Sequence, residues 1–170
     1  FVQYGSPRRV DHAAWPGCQE GSGQVKNSDW VDPNALHWDP IPQAEIEAAR
    51  ERLQGVALRT PLARLDADAG EGREVFLKLE NLQPVRSFKL RGAYNAMSKI
   101  GAAGLPDGVW TASSGNMAQA VAWSARALGI PATVYMPEHV PQIKVENVQR
   151  YGGTPVKLPA DELSQIYLTR

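Results

Sequence analysis

The sequence predicts an α/β protein built on a parallel sheet with helices on both faces. Three observations carry that expectation. From Val109 to Leu158, short apolar runs alternate with segments of helical period in the order strand, helix, strand, helix, strand. The connections between them are short, as they are where helices form the crossovers of a parallel sheet. Glycine also falls where helices end: Gly101, Gly129 and the pair Gly152-Gly153 each follow a helical segment.

Taken in order, the elements are these. Pro42 opens a helix, and Ile46, Ala49, Leu53 and Val56 recur at spacings of three to four, giving a helix over 43–54 that stops near Gly55. Thr60-Pro61-Leu62 is extended, because a residue before proline avoids the helical region. Glu74 to Glu80 alternates as a strand. Ser87 caps a helix whose apolar face is Leu90, Ala93, Tyr94, Met97 and Ile100, closed by Gly101. Val109 to Ala112 is a strand. Asn116 to Leu128 is a helix with Met117, Val121, Ala125 and Leu128 on one face, and Gly129 and Pro131 stop it. Ala132 to Met136 is the next strand, Pro141 to Tyr151 the next helix, and Thr154 to Leu158 the last strand.

Composition excludes several function classes. The chain has 170 residues, 43% hydrophobic and 21% charged, close to the globular average, so a disordered or fibrous chain is not expected. Lys and Arg together number 18 and so do Asp and Glu, leaving no net charge to attract nucleic acid or an anionic membrane. No apolar run reaches the roughly 18 residues of a bilayer span. Cys18 stands alone and three histidines lie far apart, so neither a disulfide nor a metal site is expected. The expectation is a soluble cytoplasmic protein. Residues 1–40 carry Trp15, Trp30 and Trp38 among scattered Gly, Pro, Ser and Asn without period. They read as an irregular N-terminal extension, or as an arm that packs its tryptophans on a partner, and residues 41–170 read as the folded unit.

Two turns could carry chemistry. Lys89 sits in the first turn of its helix, where the positive end of the helix dipole disfavours a cation. That favours the free amine which a Schiff-base lysine needs. Thr111-Ala112-Ser113-Ser114-Gly115-Asn116 lies where a strand ends and a helix starts, the place where open parallel sheets bind ligands. Backbone N–H groups there suit a carboxylate or phosphate. Locally, a surface lysine and a plain N-cap with a tight turn explain the same residues. No G-x-G-x-x-G and no G-x-x-x-x-G-K-[ST] is present, so ordinary dinucleotide and P-loop readings lack their residues.

The segment Lys78-Leu79-Glu80-Asn81-Leu82-Gln83-Pro84-Val85-Arg86-Ser87-Phe88-Lys89-Leu90-Arg91-Gly92-Ala93 resembles the pyridoxal-phosphate lysine segment of serine/threonine dehydratases. Ser113-Ser114-Gly115-Asn116-Met117-Ala118-Gln119 resembles their substrate-carboxylate turn, and Leu128-Gly129-Ile130-Pro131-Ala132 with Met136-Pro137 follows as in that family. The resemblance runs from about Ile41 to Leu158 and is not seen from Pro159 onward. Arg86 stands where the family usually has glycine, and Met117 where it commonly has histidine or a small polar residue.

What the resemblance implies is a fold-type-II enzyme of two α/β domains with pyridoxal 5'-phosphate in the cleft, of which residues 41–170 are the N-terminal part and the C-terminal half is absent, so that this chain by itself is expected to be inactive. Lys89 would hold the cofactor and act as catalytic base. Phe88 would pack against the pyridine ring, and Asn116 would hydrogen-bond the ring hydroxyl oxygen. Ser113, Ser114 and Gly115 would bind the substrate carboxylate, with Ser114 also catalytic in proton transfer. The implied reaction turns L-threonine into 2-oxobutanoate, or L-serine into pyruvate, with release of ammonia. The partners implied are a small amino-acid substrate and copies of the same chain, with no nucleic acid or membrane. Serine racemase, threonine synthase and β-substituting synthases share the fold and are the alternative activities; a non-catalytic truncated product is the alternative of another class, motivated by the lack of a Gly-rich phosphate loop.

Overall fold

The computed structural model describes residues 3–4, 40–66 and 73–168. In chain order the elements are β1 (Gln3–Tyr4), α1 (Gln43–Arg52), β2 (Leu62–Leu65), β3 (Val75–Lys78), α2 (Lys89–Ile100), β4 (Val109–Ala112), α3 (Asn116–Leu128), β5 (Ala132–Pro137), α4 (Gln142–Arg150), β6 (Thr154–Leu158) and α5 (Ala160–Leu168), with 3-10 turns at Glu80–Leu82 and Ala102–Gly104.

β4, β5 and β6 form a parallel sheet, with Val109 beside Ala132 and Thr133 beside Thr154. Parallel neighbours need a crossover, and α3 and α4 supply it. α3 is buried on two sides. Its Ala118 and Ala122 pack on Val134, Met136 and Val148 of the sheet and α4. Its Ala120, Val121 and Ala125 pack in one cluster with Leu90, Ala93 and Met97 of α2. Alanine makes this possible, because only a small side chain lets a helix lie close to neighbours on two sides. Gly153 has the same cause: a Cβ there would stand 2.8 Å from the Ala122 Cβ and 2.9 Å from Val148. α5 packs against β4 and β5, so the sheet carries helices on both faces, as the sequence predicts.

Three expectations change. The apolar spacing of 43–54 predicts a packed face, yet no residue of α1 is buried and Ile46 is 58% exposed. Polar contacts tether this helix to α2 instead: Arg52 Nε donates to Asn95 Oδ1 at 2.7 Å, and Lys99 Nζ to Glu45 Oε2 at 3.0 Å. The strand expected over Glu74–Glu80 is only Val75–Lys78, because Glu80 enters a 3-10 turn. It pairs antiparallel with β2 in a separate two-stranded sheet, Leu62 beside Lys78 and Leu65 beside Val75. From Pro159 onward, where no family likeness is read, the chain forms α5.

Gln3–Tyr4 pairs antiparallel with Val109–Trp110 along the edge of β4. The remainder of the extension read over 1–40, with its tryptophans and Cys18, lies outside the described residues apart from Pro40. Among the described residues no helix is long and apolar enough to cross a membrane, and no cluster of His, Cys, Asp and Glu could hold a metal ion.

Candidate active site

The loop from Gln83 to Phe88 delivers Lys89 to the start of α2 between buried neighbours. Val85 is sealed in the core cluster, and Ser87 and Leu90 are buried on either side. Ser87 Oγ accepts the Lys89 N–H at 3.2 Å, so the cap predicted at Ser87 forms. Phe88 already has helical angles (φ −62°, ψ −17°), which places the working N-cap one residue ahead of the nominal boundary. Phe88 itself is 57% exposed, unusual for so large an apolar side chain between buried residues. Lys89 Nζ lies 5.0 Å from the centre of its ring, within reach of a cation–π contact. Among the described residues the Lys89 amine has no hydrogen bond or ion pair, whereas Lys99 is paired with Glu45.

Arg86 has φ +56°, and among the described residues it is the one left-handed position not held by glycine. The resemblance puts glycine at this position, and the structure supplies the reason: the turn needs positive φ, which glycine adopts without strain. The turn is closed by the Arg86 N–H on the Gln83 carbonyl at 2.7 Å, and Tyr151 Oη donates to the Pro84 carbonyl at 3.1 Å.

The second turn follows β4. Ser113 N–H continues the ladder to the Tyr135 carbonyl at 3.0 Å, then Ser113 Oγ folds back to accept the Gly115 N–H at 3.2 Å. Gly115 caps α3 without a side-chain hydrogen bond. The first N–H groups of α3 therefore keep their capacity to bind an anion. Ser113 and Ser114 are half-buried, and Asn116 is exposed at the first helical position. A Cβ at Gly115 would meet only Ser113 Oγ, at 4.0 Å, so space above the turn is open. Met117 packs into the core cluster instead of facing this turn.

Sequence reasoning left out the polar cluster beneath the lysine loop. Glu80 accepts Arg91 Nε at 2.9 Å and Nη2 at 2.9 Å, one on each carboxylate oxygen. Thr60 Oγ1 adds a bond of 2.7 Å and Gln83 Nε2 one of 3.2 Å. Gln83 also spans Leu58, accepting its N–H and donating to its carbonyl, both at 2.9 Å. The Arg91 guanidinium, ahead of the other donors, holds the Glu80 carboxyl at about 2, against the usual 4.5, although burial pushes the other way. The signal was present: Glu80, Gln83 and Arg91 all lie inside the quoted lysine segment.

The structure thus sets Phe88 beside Lys89 at the start of α2, and Ser113 beside Gly115 just ahead of α3, and these two helices pack against each other. The sequence profile described as "pyridoxal-phosphate dependent enzyme" matches residues 53–167. The chain belongs to this family. The match begins at Leu53, just after α1, and runs nearly to the end of α5, so family likeness extends past the Leu158 limit expected from the motifs. The L-threo-3-hydroxyaspartate ammonia-lyase of a Pseudomonas species is 47% identical over 113 residues, which are 66% of this chain and 35% of that protein. The biosynthetic L-threonine dehydratase of Burkholderia multivorans is 52% identical over 121 residues, 71% of this chain and 21% of that protein. The solved structure of maize serine racemase is 37% identical with a TM-score of 0.64, covering 74% of this chain and 39% of that one. The chain spans well under half the length of each.

Enzymes of this family use pyridoxal phosphate, and the residues present fit the part of that cofactor they would face. Among the described residues an unpaired amine stands at a helix start, an exposed aromatic ring lies near it, and an open turn without a side-chain cap precedes the adjoining helix. Lys89 would hold the aldehyde carbon, Phe88 would lie on the ring, and Asn116 has the amide to reach a ring oxygen.

Proposed function

We propose that this protein is a pyridoxal-phosphate-dependent ammonia-lyase that converts L-threonine or L-serine to a 2-oxo acid and ammonia. The observation that carries the proposal is the Lys89 amine, unpaired among the described residues, in the first turn of α2 beside the exposed Phe88 ring. The similarity to an L-threonine dehydratase and to an L-threo-3-hydroxyaspartate ammonia-lyase supports the reaction class.

The cofactor, when bound, supplies an electron sink that stabilises negative charge at the substrate Cα. The chain's residues do the rest. Lys89 would hold the cofactor through its amine and, once that amine is free, would take the substrate Cα proton. Phe88 would pack against the pyridine ring and shield it from water, and Asn116 would hydrogen-bond the ring hydroxyl oxygen. Ser113, Ser114 and Gly115 hold the substrate carboxylate with the N–H groups that open α3. Ser114 moves a proton on the face opposite the lysine. Loss of the β-hydroxyl and hydrolysis of the C–N bond give 2-oxobutanoate from threonine or pyruvate from serine. In the same proposal the protein works in the cytoplasm as a homo-oligomer.

A second reading is racemisation of serine, favoured by the likeness to the maize racemase. Incubating the intact gene product and cofactor with L-threonine and L-serine separates the two. Oxo acid from both substrates, with little D-serine, is the result expected of a dehydratase. D-Serine as the main product, with no oxo acid from threonine, would replace the proposal with the second reading.

A further inference from the structure

We propose that Glu80 and Arg91, with Gln83 and Thr60, form a positioning device that sets the direction in which Lys89 points. The proposal rests on the reading of Lys89 as the cofactor-binding amine, and it concerns residues to which no role in that chemistry has been given above.

Consider first how complete the cluster is. The Glu80 carboxylate receives two bonds from the Arg91 fork, one from Thr60 and one from Gln83, and Lys78 Nζ stands 3.7 Å away. Gln83 is 2% exposed and Thr60 6%. Arg91 Nη2 also donates to the Leu58 carbonyl at 2.9 Å, and Lys78 Nζ to the Thr60 carbonyl at 3.3 Å. Three separate stretches are thereby joined at one carboxylate: the chain entering β2, the 3-10 turn, and the first turn of α2. An ion pair of this kind is poor value as plain stability, since apolar side chains of similar volume serve as well or better. Its particular property is direction, because a fork on a carboxylate holds both groups in one plane.

The direction matters because of where Arg91 stands. It follows Lys89 by two residues, and at 3.6 residues per turn their side chains leave the helix roughly 200° apart. Pinning Arg91 on Glu80 therefore fixes the rotation of the first turn and aims Lys89 away from the cluster. The Ser87 cap and the buried Val85 hold the other side of the loop. The left-handed Arg86 is what such a doubly anchored loop has to accept, because strain persists only where surroundings over-determine it.

The test follows adduct formation at Lys89 and does not rely on turnover. The protein and its Glu80→Gln, Arg91→Lys and Thr60→Val variants are incubated with pyridoxal phosphate, reduced with borohydride at timed intervals, and mapped by peptide mass spectrometry. Glu74→Gln is the control, since it breaks the exposed Arg64–Glu74 pair in the neighbouring hairpin without touching the cluster. Circular dichroism establishes that each variant is folded. A Lys89-to-Lys99 labelling ratio at least fivefold lower in Glu80→Gln, an intermediate ratio in Arg91→Lys and Thr60→Val, and an unchanged ratio in Glu74→Gln support the role. Folded variants that label Lys89 as fast and as selectively as the parent overturn it while leaving the Lys89 reading intact. A parent protein that never labels Lys89 overturns the Lys89 reading, and the positioning role with it.

Discussion

Arg86 concentrates the local strain of the site in one residue. A left-handed φ of +56° burdens any side chain with a Cβ by about 1–2 kcal/mol. Arg86→Gly removes that burden but gives the unfolded chain more freedom, which takes back about 0.5–1 kcal/mol. A net gain of about 0.5 kcal/mol in urea denaturation is therefore expected. A loss of similar size would show that the arginine side chain makes contacts worth more than the strain. Asn116 and Ser114 are separated at the same scale by their proposed tasks. Asn116→Ala is expected to weaken cofactor binding by about 1–3 kcal/mol through a lost hydrogen bond. Ser114→Ala is expected to lower turnover while cofactor affinity stays near that of the parent. Equal losses of affinity and turnover in both variants, measured by cofactor titration and oxo-acid assay, would contradict those assignments.

Among the elements, α3 and the Glu80 turn offer the clearest consequences. Ser124 is buried at the centre of α3, and among the described residues its hydroxyl has no hydrogen-bond partner. Ser124→Ala removes an unsatisfied polar atom and improves helix propensity, so a stabilisation of about 1 kcal/mol is expected by thermal melting. At Glu80 the folded carboxyl titrates at about 2 instead of 4.5, which corresponds to roughly 3 kcal/mol at most. Because the folded value is the lower one, this stability is present above about pH 4.5 and is lost as the pH falls towards 2. Glu80→Gln should flatten the fall of stability over that interval in acid titrations monitored by circular dichroism. The elements from Val109 to Leu158 were legible because strand and helix alternate there with apolar faces that end up buried. α1 misled because its apolar spacing meets no partner surface, and apolar period alone does not say what a face packs against. The pairing of β2 with β3 was not legible, since register depends on contacts across a connection that carries no tight-turn signature. At the site, Lys89 and the Ser113–Asn116 turn could be read from local position, whereas the Glu80 cluster joins residues separated by as many as 33 positions and needs the fold to be seen.

For the whole molecule, the uneven distribution of apolar surface has the largest consequence. The pairing of β2 with β3 places Ala63, Leu65, Val75 and Leu77 on one face of the small sheet. Leu65, Val75 and Leu77 are exposed, as are Leu62 and Phe76 on the other side. A two-stranded sheet is marginal by itself, and an exposed apolar face on one invites association. The protein is expected to associate as its concentration rises, and Leu77→Lys to reduce that association in light scattering while the parallel sheet keeps its circular dichroism. Scattering unchanged by Leu77→Lys would place the sticky surface elsewhere. The central claim for the molecule remains that one amine, Lys89, captures pyridoxal phosphate. The most direct measurement is borohydride reduction of the intact gene product with the cofactor, followed by mapping of the modified peptide, with Lys89→Ala in parallel. The expected result is a near-stoichiometric adduct on Lys89 in the parent, together with a yellow absorbance before reduction, and neither in Lys89→Ala. An adduct of the same yield in Lys89→Ala, or one spread over exposed lysines such as Lys99 and Lys157 in the parent, would contradict it.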